Sequence, residues 1–106
     1  MRRFYPTDLK QYLAETDTPP LLLDVREPWE YDKCRIEGSQ LIPMRQVPTA
    51  LEELEPDQPT VVICHHGIRS RQVCFYLEQA GFSNVINLEG GVEAWAQDID
   101  SDMPRY

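Results

Sequence analysis

Short runs of apolar residues divide the chain and predict buried β-strands. The three strongest runs lie at residues 21–25, 60–63 and 84–88. A run of this kind, with no regular polar alternation, is typical of a strand that is covered on both faces. Residues 40–42 predict one further short strand, which ends at Pro43.

Between these strands, apolar residues recur at the spacing of one helix face. The patterns predict helices over residues 6–15, 47–54, 70–80 and 92–96. Pro6 and Pro48 fit a first turn, and Gly81 suits the left-handed residue beyond a helix end. Residues 28–33 are predicted as a loop or a short helix. The acidic tail, residues 98–106, is expected to be loosely packed.

The alternation of apolar strands with helices predicts an α/β fold with a parallel sheet covered on both faces. Ligands of such sheets bind beyond the carboxyl ends of the strands, near the point where strand order reverses. The candidate positions therefore lie just after Val25, Ile63 and Leu88. The length of 106 residues, without a linker or a repeat, predicts a single domain over residues 1–106.

Composition narrows the choice of partners and of compartment. Eighteen acidic residues against ten basic ones give a net charge of −8, which argues against nucleic acid and anionic membranes as partners. No segment resembles a membrane span or a signal peptide. Cys34, Cys64 and Cys74 form neither a C-x-x-C pair nor a disulfide framework. These features predict a reducing, cytoplasmic setting.

The candidate chemistry lies in the loop after the second long apolar run, Cys64-His65-His66-Gly67-Ile68-Arg69-Ser70. We expect Cys64 to be exposed at the strand end, facing the free N–H groups that begin the next helix. Those groups favour an anion and so the thiolate, which is the nucleophilic form of cysteine. Gly67 lets the backbone curl so that successive N–H groups point inward. Arg69 and Arg71 add a local positive charge on a negative protein.

Several spaced motifs, taken together, resemble the single-domain rhodaneses, a family of sulfurtransferases, over nearly the whole chain. The matching segments are residues 22–27 (L-L-D-V-R-E) with 30–31, 36–39 with 42–43, 64–70, 81–82, 88–95 and 103–106. The resemblance implies a doubly wound, five-stranded parallel sheet with helices on both faces. The chain departs from the family pattern at Arg35, at Ser39 and at the adjacent His65 and His66.

The resemblance also implies a thiosulfate sulfurtransferase in which Cys64 is catalytic and carries a persulfide. Its donor would be thiosulfate or another persulfide, and its acceptor cyanide, a thiol or a carrier protein. The loop residues expected to bind the donor are His65, His66, Gly67, Ile68, Arg69 and Ser70. No metal or organic cofactor is expected, and the chain is expected to be a monomer or a weak homodimer.

Two other functions remain open at this point. A rhodanese-like module can carry sulfur or dock a partner without turnover. Cysteine-dependent phosphatases resemble the loop, but they need one residue more than the four that separate Cys64 from Arg69. That longer loop takes a phosphoryl group, whereas the shorter loop suits a sulfane sulfur.

Individual residues also have competing interpretations. Arg69 either binds the anionic donor or braces the loop by pairing with a carboxylate such as Glu30. Asp24 and Arg26 are predicted to support the loop as structural ion-pair partners. The remaining residues have structural interpretations. Cys74 is expected to be a small buried helix residue rather than a resolving thiol, Cys34 a loop or core residue, and Trp95 a core residue. The two histidines are expected to form the rim of the loop, and Gly90-Gly91 a tight turn.

Overall fold

The apolar runs form the strands of one parallel sheet. The computed structural model describes residues 1–106. Its strands are β1 (Arg2–Phe4), β2 (Leu21–Asp24), β3 (Gln40–Leu41), β4 (Thr60–Ile63) and β5 (Val85–Leu88). They lie in the order β1-β5-β4-β2-β3, and all neighbours are parallel. The predicted α/β fold with a doubly wound, five-stranded sheet is confirmed.

The edge strand β1 is the one strand that no apolar run indicates. Two of its three residues are exposed arginines, a composition typical of an edge strand. Pairing with β5 holds it in the sheet, with Arg2 beside Ile86 and Phe4 beside Leu88. Its place therefore depends on a partner more than eighty positions away in the chain, and not on its own sequence.

Five helices connect and cover the strands. They are α1 (Pro6–Glu15), α2 (Pro28–Lys33), α3 (Val47–Ala50), α4 (Ile68–Gln79) and α5 (Gly91–Asp98). The predicted bounds of α1 are confirmed. The stretch predicted over residues 47–54 is a single α-turn between two short 3-10 helices. Helix α4 begins at Ile68, earlier than predicted, because Gly67 adopts a left-handed conformation and starts the helix within the loop.

The core lies on both faces of the sheet. On one face, α3 and α4 bury Val47, Val73 and Leu77 against Val62. On the other face, α1 and α5 bury a second apolar cluster, which contains Leu9, Ile63, Ile86, Leu88, Val92 and Trp95. Trp95 is a core residue, as predicted. None of the helices combines the length and the apolarity that crossing a bilayer requires.

The carboxyl-terminal tail is packed, and the prediction of a loose tail was wrong. Met103 is buried in the cluster beneath α5, and the Tyr106 hydroxyl hydrogen-bonds to Arg26 and Glu30. The acidic composition misled the sequence interpretation because Met103 and Tyr106 are enough to anchor the segment. Burial of an apolar side chain and satisfaction of a buried guanidinium both favour the docked tail.

The strand order places one loop at the reversal point of the sheet. After β2 the chain turns toward β3, whereas after β4 it turns the other way, toward β5. The loops that leave β2 and β4 therefore diverge and leave a crevice between them. Cys64 is the first residue after β4, so it stands at this crevice.

Helix α5 begins in close contact with the same loop. The backbone N–H groups of Val92 and Glu93 donate to the carbonyl oxygens of Cys64 and His65 at 2.9 and 3.1 Å. Gly90 and Gly91 both have positive φ, as the predicted tight turn requires. A methyl group at Gly91 would overlap the carbonyl oxygens of Cys64 and His65. Only glycine at position 91 therefore allows α5 to lie this close to the loop.

We expect Gly91→Ala to lower the free energy of unfolding by about 3 kcal/mol or more, because strain and overlap act together. Gly38→Ala is the matched control, since Gly38 also has positive φ but nothing lies within 4 Å of an added methyl. That control should cost only about 1 kcal/mol. Urea unfolding of both variants measures the difference, and equal losses would contradict the close approach.

Candidate active site

Cys64 lies at the floor of the loop rather than on its surface. Only 1% of the residue is exposed, so the expectation of an exposed cysteine was wrong. The carbonyls of Cys64 and His65 are bonded to the start of α5, and Gly67 and Ser70 of the loop lie against the sulfur. None of the surface cavities of the molecule is lined by Cys64 or by residues 65–70.

Backbone and hydroxyl groups contact the sulfur from the start of α4. The N–H of Gly67 donates to Cys64 Sγ at 3.0 Å, and Ser70 Oγ lies 3.3 Å from the same sulfur. Gly67 has a positive φ and is the residue that caps the start of α4. The helix N-terminus adds partial positive charge, which favours a negative sulfur. The predicted contact between Cys64 and the start of the helix is therefore present.

A buried asparagine, which the sequence interpretation missed, supports this arrangement. Asn87 of β5 accepts a hydrogen bond from Ser70 Oγ at 2.5 Å and donates to the Gly67 carbonyl at 3.3 Å. Ser70 and Asn87 are both completely shielded from solvent. The signal was present in the sequence, because Asn87 is a polar residue at the centre of an apolar strand, where an unpaired amide is costly.

Arg69 is clamped by a carboxylate. Its two terminal nitrogens donate to the two oxygens of Glu30 at 2.7 and 2.8 Å. Glu30 is buried in α2, on the far side of the crevice from α4. A planar bidentate pair of this kind fixes the guanidinium in orientation. Of the two interpretations of Arg69, the geometry favours the loop brace.

Glu30 is a fully satisfied buried carboxylate. Besides Arg69, it accepts from the backbone N–H of Glu27 at 2.9 Å and from the Tyr106 hydroxyl at 2.7 Å. These donors, Arg69 first among them, lower the pKa of Glu30 to about 2 despite its burial. The carboxylate is therefore ionised throughout the physiological range and neutralises Arg69.

Asp24 and Arg26 form a buried ion pair with each other rather than with the loop. Arg26 Nη2 lies 2.7 Å from Asp24 Oδ2, and both side chains are shielded from solvent. The remaining donors of Arg26 reach the carbonyls of Glu30 and Cys34 and the Tyr106 hydroxyl. The predicted direct contact of Asp24 and Arg26 with the loop is absent. These two residues are linked to the loop through Tyr106 and Glu30.

Tyr106 also contacts the loop through its ring, which the sequence interpretation did not foresee. The ring stacks on His65 with the centroids 3.9 Å apart, and His65 stacks in turn on His66 at 3.9 Å. Burial lowers the pKa of His65, and the neighbouring His66 lowers it further. The two histidine rings thus line the outer side of the loop, in agreement with the predicted rim.

The predicted patch of free positive charge is not present. Arg69 is paired with Glu30, and Arg71 with Glu89 at 3.2 Å. The sequence places both arginines beside the cysteine, but only the tertiary structure brings the glutamates to them. Any anion at Cys64 would therefore depend on backbone N–H groups more than on side-chain charge.

The other two cysteines lie apart from this chemistry. Cys74 is buried on α4, as predicted, and burial raises the pKa of its thiol to about 12. Cys34 is buried at the end of α2, which agrees with its interpretation as a loop or core residue. No group of three or more His, Cys, Asp or Glu side chains is placed to hold a metal ion.

Comparison with known proteins agrees with this fold. Residues 5–98 match the family model described as a rhodanese-like domain. A sulfurtransferase from Allochromatium vinosum is 40% identical over 89 residues, which cover 84% of this chain and 82% of the relative. The probable adenylyltransferase/sulfurtransferase MoeZ from Mycobacterium tuberculosis is 36% identical over 103 residues, or 95% of this chain. This chain spans only 26% of the length of MoeZ.

Solved structures show the same architecture. The crystal structure of a rhodanese-like domain protein from Staphylococcus aureus superposes with a TM-score of 0.85 and 31% sequence identity. The match covers 100% of this chain and 99% of the other. The structural similarity therefore extends over the whole chain.

The pKa of Glu30 predicts a specific acid dependence of stability. Because the pKa falls from 4.5 to about 2 on folding, the stabilisation is complete above pH 4.5 and is lost as the pH drops through about 2. The loss is on the order of 3 kcal/mol. In Glu30→Gln this component should be missing from the curve of unfolding free energy against pH, measured with urea.

The matched control for that measurement is Glu15→Gln. Glu15 lies at the exposed end of α1 and accepts a hydrogen bond only from Gln11, which a glutamine can replace. This variant should retain the acid dependence of the unsubstituted chain. Identical pH curves for Glu30→Gln and Glu15→Gln would contradict the role given to the Glu30–Arg69 pair.

Proposed function

The chain belongs to the rhodanese-like domain family, and we propose that it transfers a sulfane sulfur through a persulfide on Cys64. The family match and the relatives named sulfurtransferases support a sulfurtransferase-type role. The single observation that carries the assignment to Cys64 is the contact of its sulfur with the Gly67 N–H at the start of α4. A thiolate in this position is stabilised by the hydrogen bond from the Gly67 N–H and by the helix dipole.

The proposed reaction is a two-step displacement. The Cys64 thiolate attacks the outer sulfur of the donor, so that a new sulfur–sulfur bond forms at Sγ. The bond inside the donor breaks, and its electron pair leaves with sulfite or with the donor thiolate. An acceptor thiolate, cyanide or carrier protein then attacks the terminal sulfur of the persulfide, and the Cys64 thiolate is released. No external oxidant or reductant is needed.

The charge of the site supports backbone recognition of the anionic donor. Arg69 and Arg71 are both paired with glutamates, and the backbone donor that reaches the sulfur is the N–H of Gly67. A curled loop of N–H groups is a common anion-binding device. The residues predicted to bind the donor would act mainly through their backbone, and Arg69 would hold the loop in shape.

The size of the loop favours sulfur over phosphoryl chemistry. Four residues separate Cys64 from Arg69, and the exposed fraction of Cys64 is only 1%. Transfer of a sulfane sulfur adds a single atom at Sγ, whereas a phosphoryl group brings three oxygens that must be held around it. We propose a reducing compartment such as the cytoplasm for this reaction, since it requires Cys64 as a free thiol.

A second candidate is a module that carries sulfur without rapid turnover. The restricted access to Cys64 favours it, as does MoeZ, in which the similar segment forms 26% of a longer protein. Such a module would accept sulfur from a protein donor and pass it to a protein acceptor. It would share the Cys64 persulfide but would turn over free thiosulfate poorly.

We expect Cys64→Ala to abolish sulfur transfer from thiosulfate to cyanide, measured as thiocyanate. The intact mass of the unsubstituted chain should increase by one sulfur atom after incubation with thiosulfate or with a persulfide donor. Cys74→Ala is the matched control, because that thiol is buried on α4 and should retain both transfer and mass gain. Retained transfer in Cys64→Ala would refute the proposal.

The same measurements separate the alternatives. A mass gain from a persulfide donor, with thiocyanate formation no faster than in buffer, would favour the sulfur-carrying module. Cys64-dependent hydrolysis of an aryl phosphate, without any gain of sulfur, would favour a phosphatase.

A further inference from the structure

One polar side chain is buried where the sheet is otherwise apolar. Asn87 lies in β5 between Ile86 and Leu88 and is completely shielded from solvent. Side chains alternate along a strand, so Asn87 points to the same face as Val85, which packs in the cluster that includes α4. Burial of an amide is costly unless its donor and its acceptor both find partners.

Both ends of this amide are bonded to the loop around Cys64. Nδ2 lies 3.3 Å from the carbonyl oxygen of Gly67, and Oδ1 lies 2.5 Å from Ser70 Oγ. The carbonyl of Gly67 can only accept a hydrogen bond, so the amide nitrogen must face it. The amide oxygen therefore faces Ser70, and the hydroxyl of Ser70 must be the donor.

The direction of that hydroxyl proton decides what Ser70 offers to Cys64. A serine hydroxyl has a single proton, and here it is directed at Asn87. The oxygen lone pairs are left to face Sγ at 3.3 Å, where they accept a hydrogen bond from a protonated thiol. They do not stabilise a thiolate. Asn87 and the Cys64 thiolate therefore compete for one proton.

We propose that Asn87 is a positioning residue that limits the fraction of Cys64 present as thiolate by holding the Ser70 proton. Asn87 does not contact the sulfur; it acts on the thiol through Ser70, and its second hydrogen bond holds the carbonyl of Gly67. The inference rests on the proposed function in taking Cys64 as the nucleophile. In the resting protein, Asn87 favours the protonated thiol, and the Gly67 N–H opposes it by donating to the sulfur.

The test is the rate of Cys64 alkylation by iodoacetamide as a function of pH, followed by mass spectrometry of the Cys64 peptide. In Asn87→Leu, the Ser70 proton is free to turn to the sulfur. Alkylation at mildly acidic pH should then accelerate by about fivefold, the value of one hydrogen bond, and its pH midpoint should fall. In a Ser70→Ala background, Asn87→Leu should change neither quantity.

This double-mutant cycle separates positioning from a structural role. An equal effect of Asn87→Leu with and without the Ser70 hydroxyl would overturn the proposal, as would slower alkylation in Asn87→Leu. Asn87→Val, which suits a buried strand, is the second variant if the leucine does not fold, as judged by circular dichroism. The same outcomes apply to it.

Ser70→Ala alone decides the question if neither substitution at Asn87 folds. With Asn87 present, loss of the hydroxyl should not slow alkylation, because the hydroxyl donates to Asn87 and only accepts a hydrogen bond from the protonated thiol. Slower alkylation of Ser70→Ala than of the unsubstituted chain would overturn the proposal. Alkylation does not depend on sulfur transfer, so this outcome is distinct from a failure of the thiosulfate and mass measurements.

Discussion

The contact between the α5 N-terminus and the carbonyls of Cys64 and His65 is the constraint on which the site depends. The N–H groups of Val92 and Glu93 donate hydrogen bonds to these two carbonyls. The start of α4 approaches from the other side, where the Gly67 N–H reaches the sulfur. The N-termini of two helices thus contact one loop. The loop in turn provides partners for N–H groups at the start of each helix that would otherwise have none.

A second constraint is the polar network beneath the crevice. It runs from the Asp24–Arg26 pair through Tyr106 to Glu30 and Arg69. Removal of one partner from a buried ion pair leaves an uncompensated charge, so the members of such a network depend on one another. Because Tyr106 belongs to this network, the docked tail also helps to hold the loop in its conformation.

The network also explains why so many charges surround a site with little free charge. Each arginine near the sulfur is held by a glutamate, and the guanidinium groups fix positions rather than attract ligands. Binding of an anion at the sulfur then depends on backbone N–H groups, which do not ionise and so do not change with pH. The sheet, the helix starts and the ion pairs act together to hold those groups in one arrangement.

The amino-acid sequence by itself determined the strands at the apolar runs, the bounds of α1, the parallel α/β architecture and the loop that begins at Cys64. Those features follow from local periodicity, glycine positions and motif spacing, which a single segment carries within itself. Only the tertiary structure decided the burial of Cys64, the pairing of β1, the docking of Tyr106, the clamp on Arg69 and the role of Asn87. Each of these depends on groups distant in sequence, because charges and buried amides find their partners only when the chain has folded.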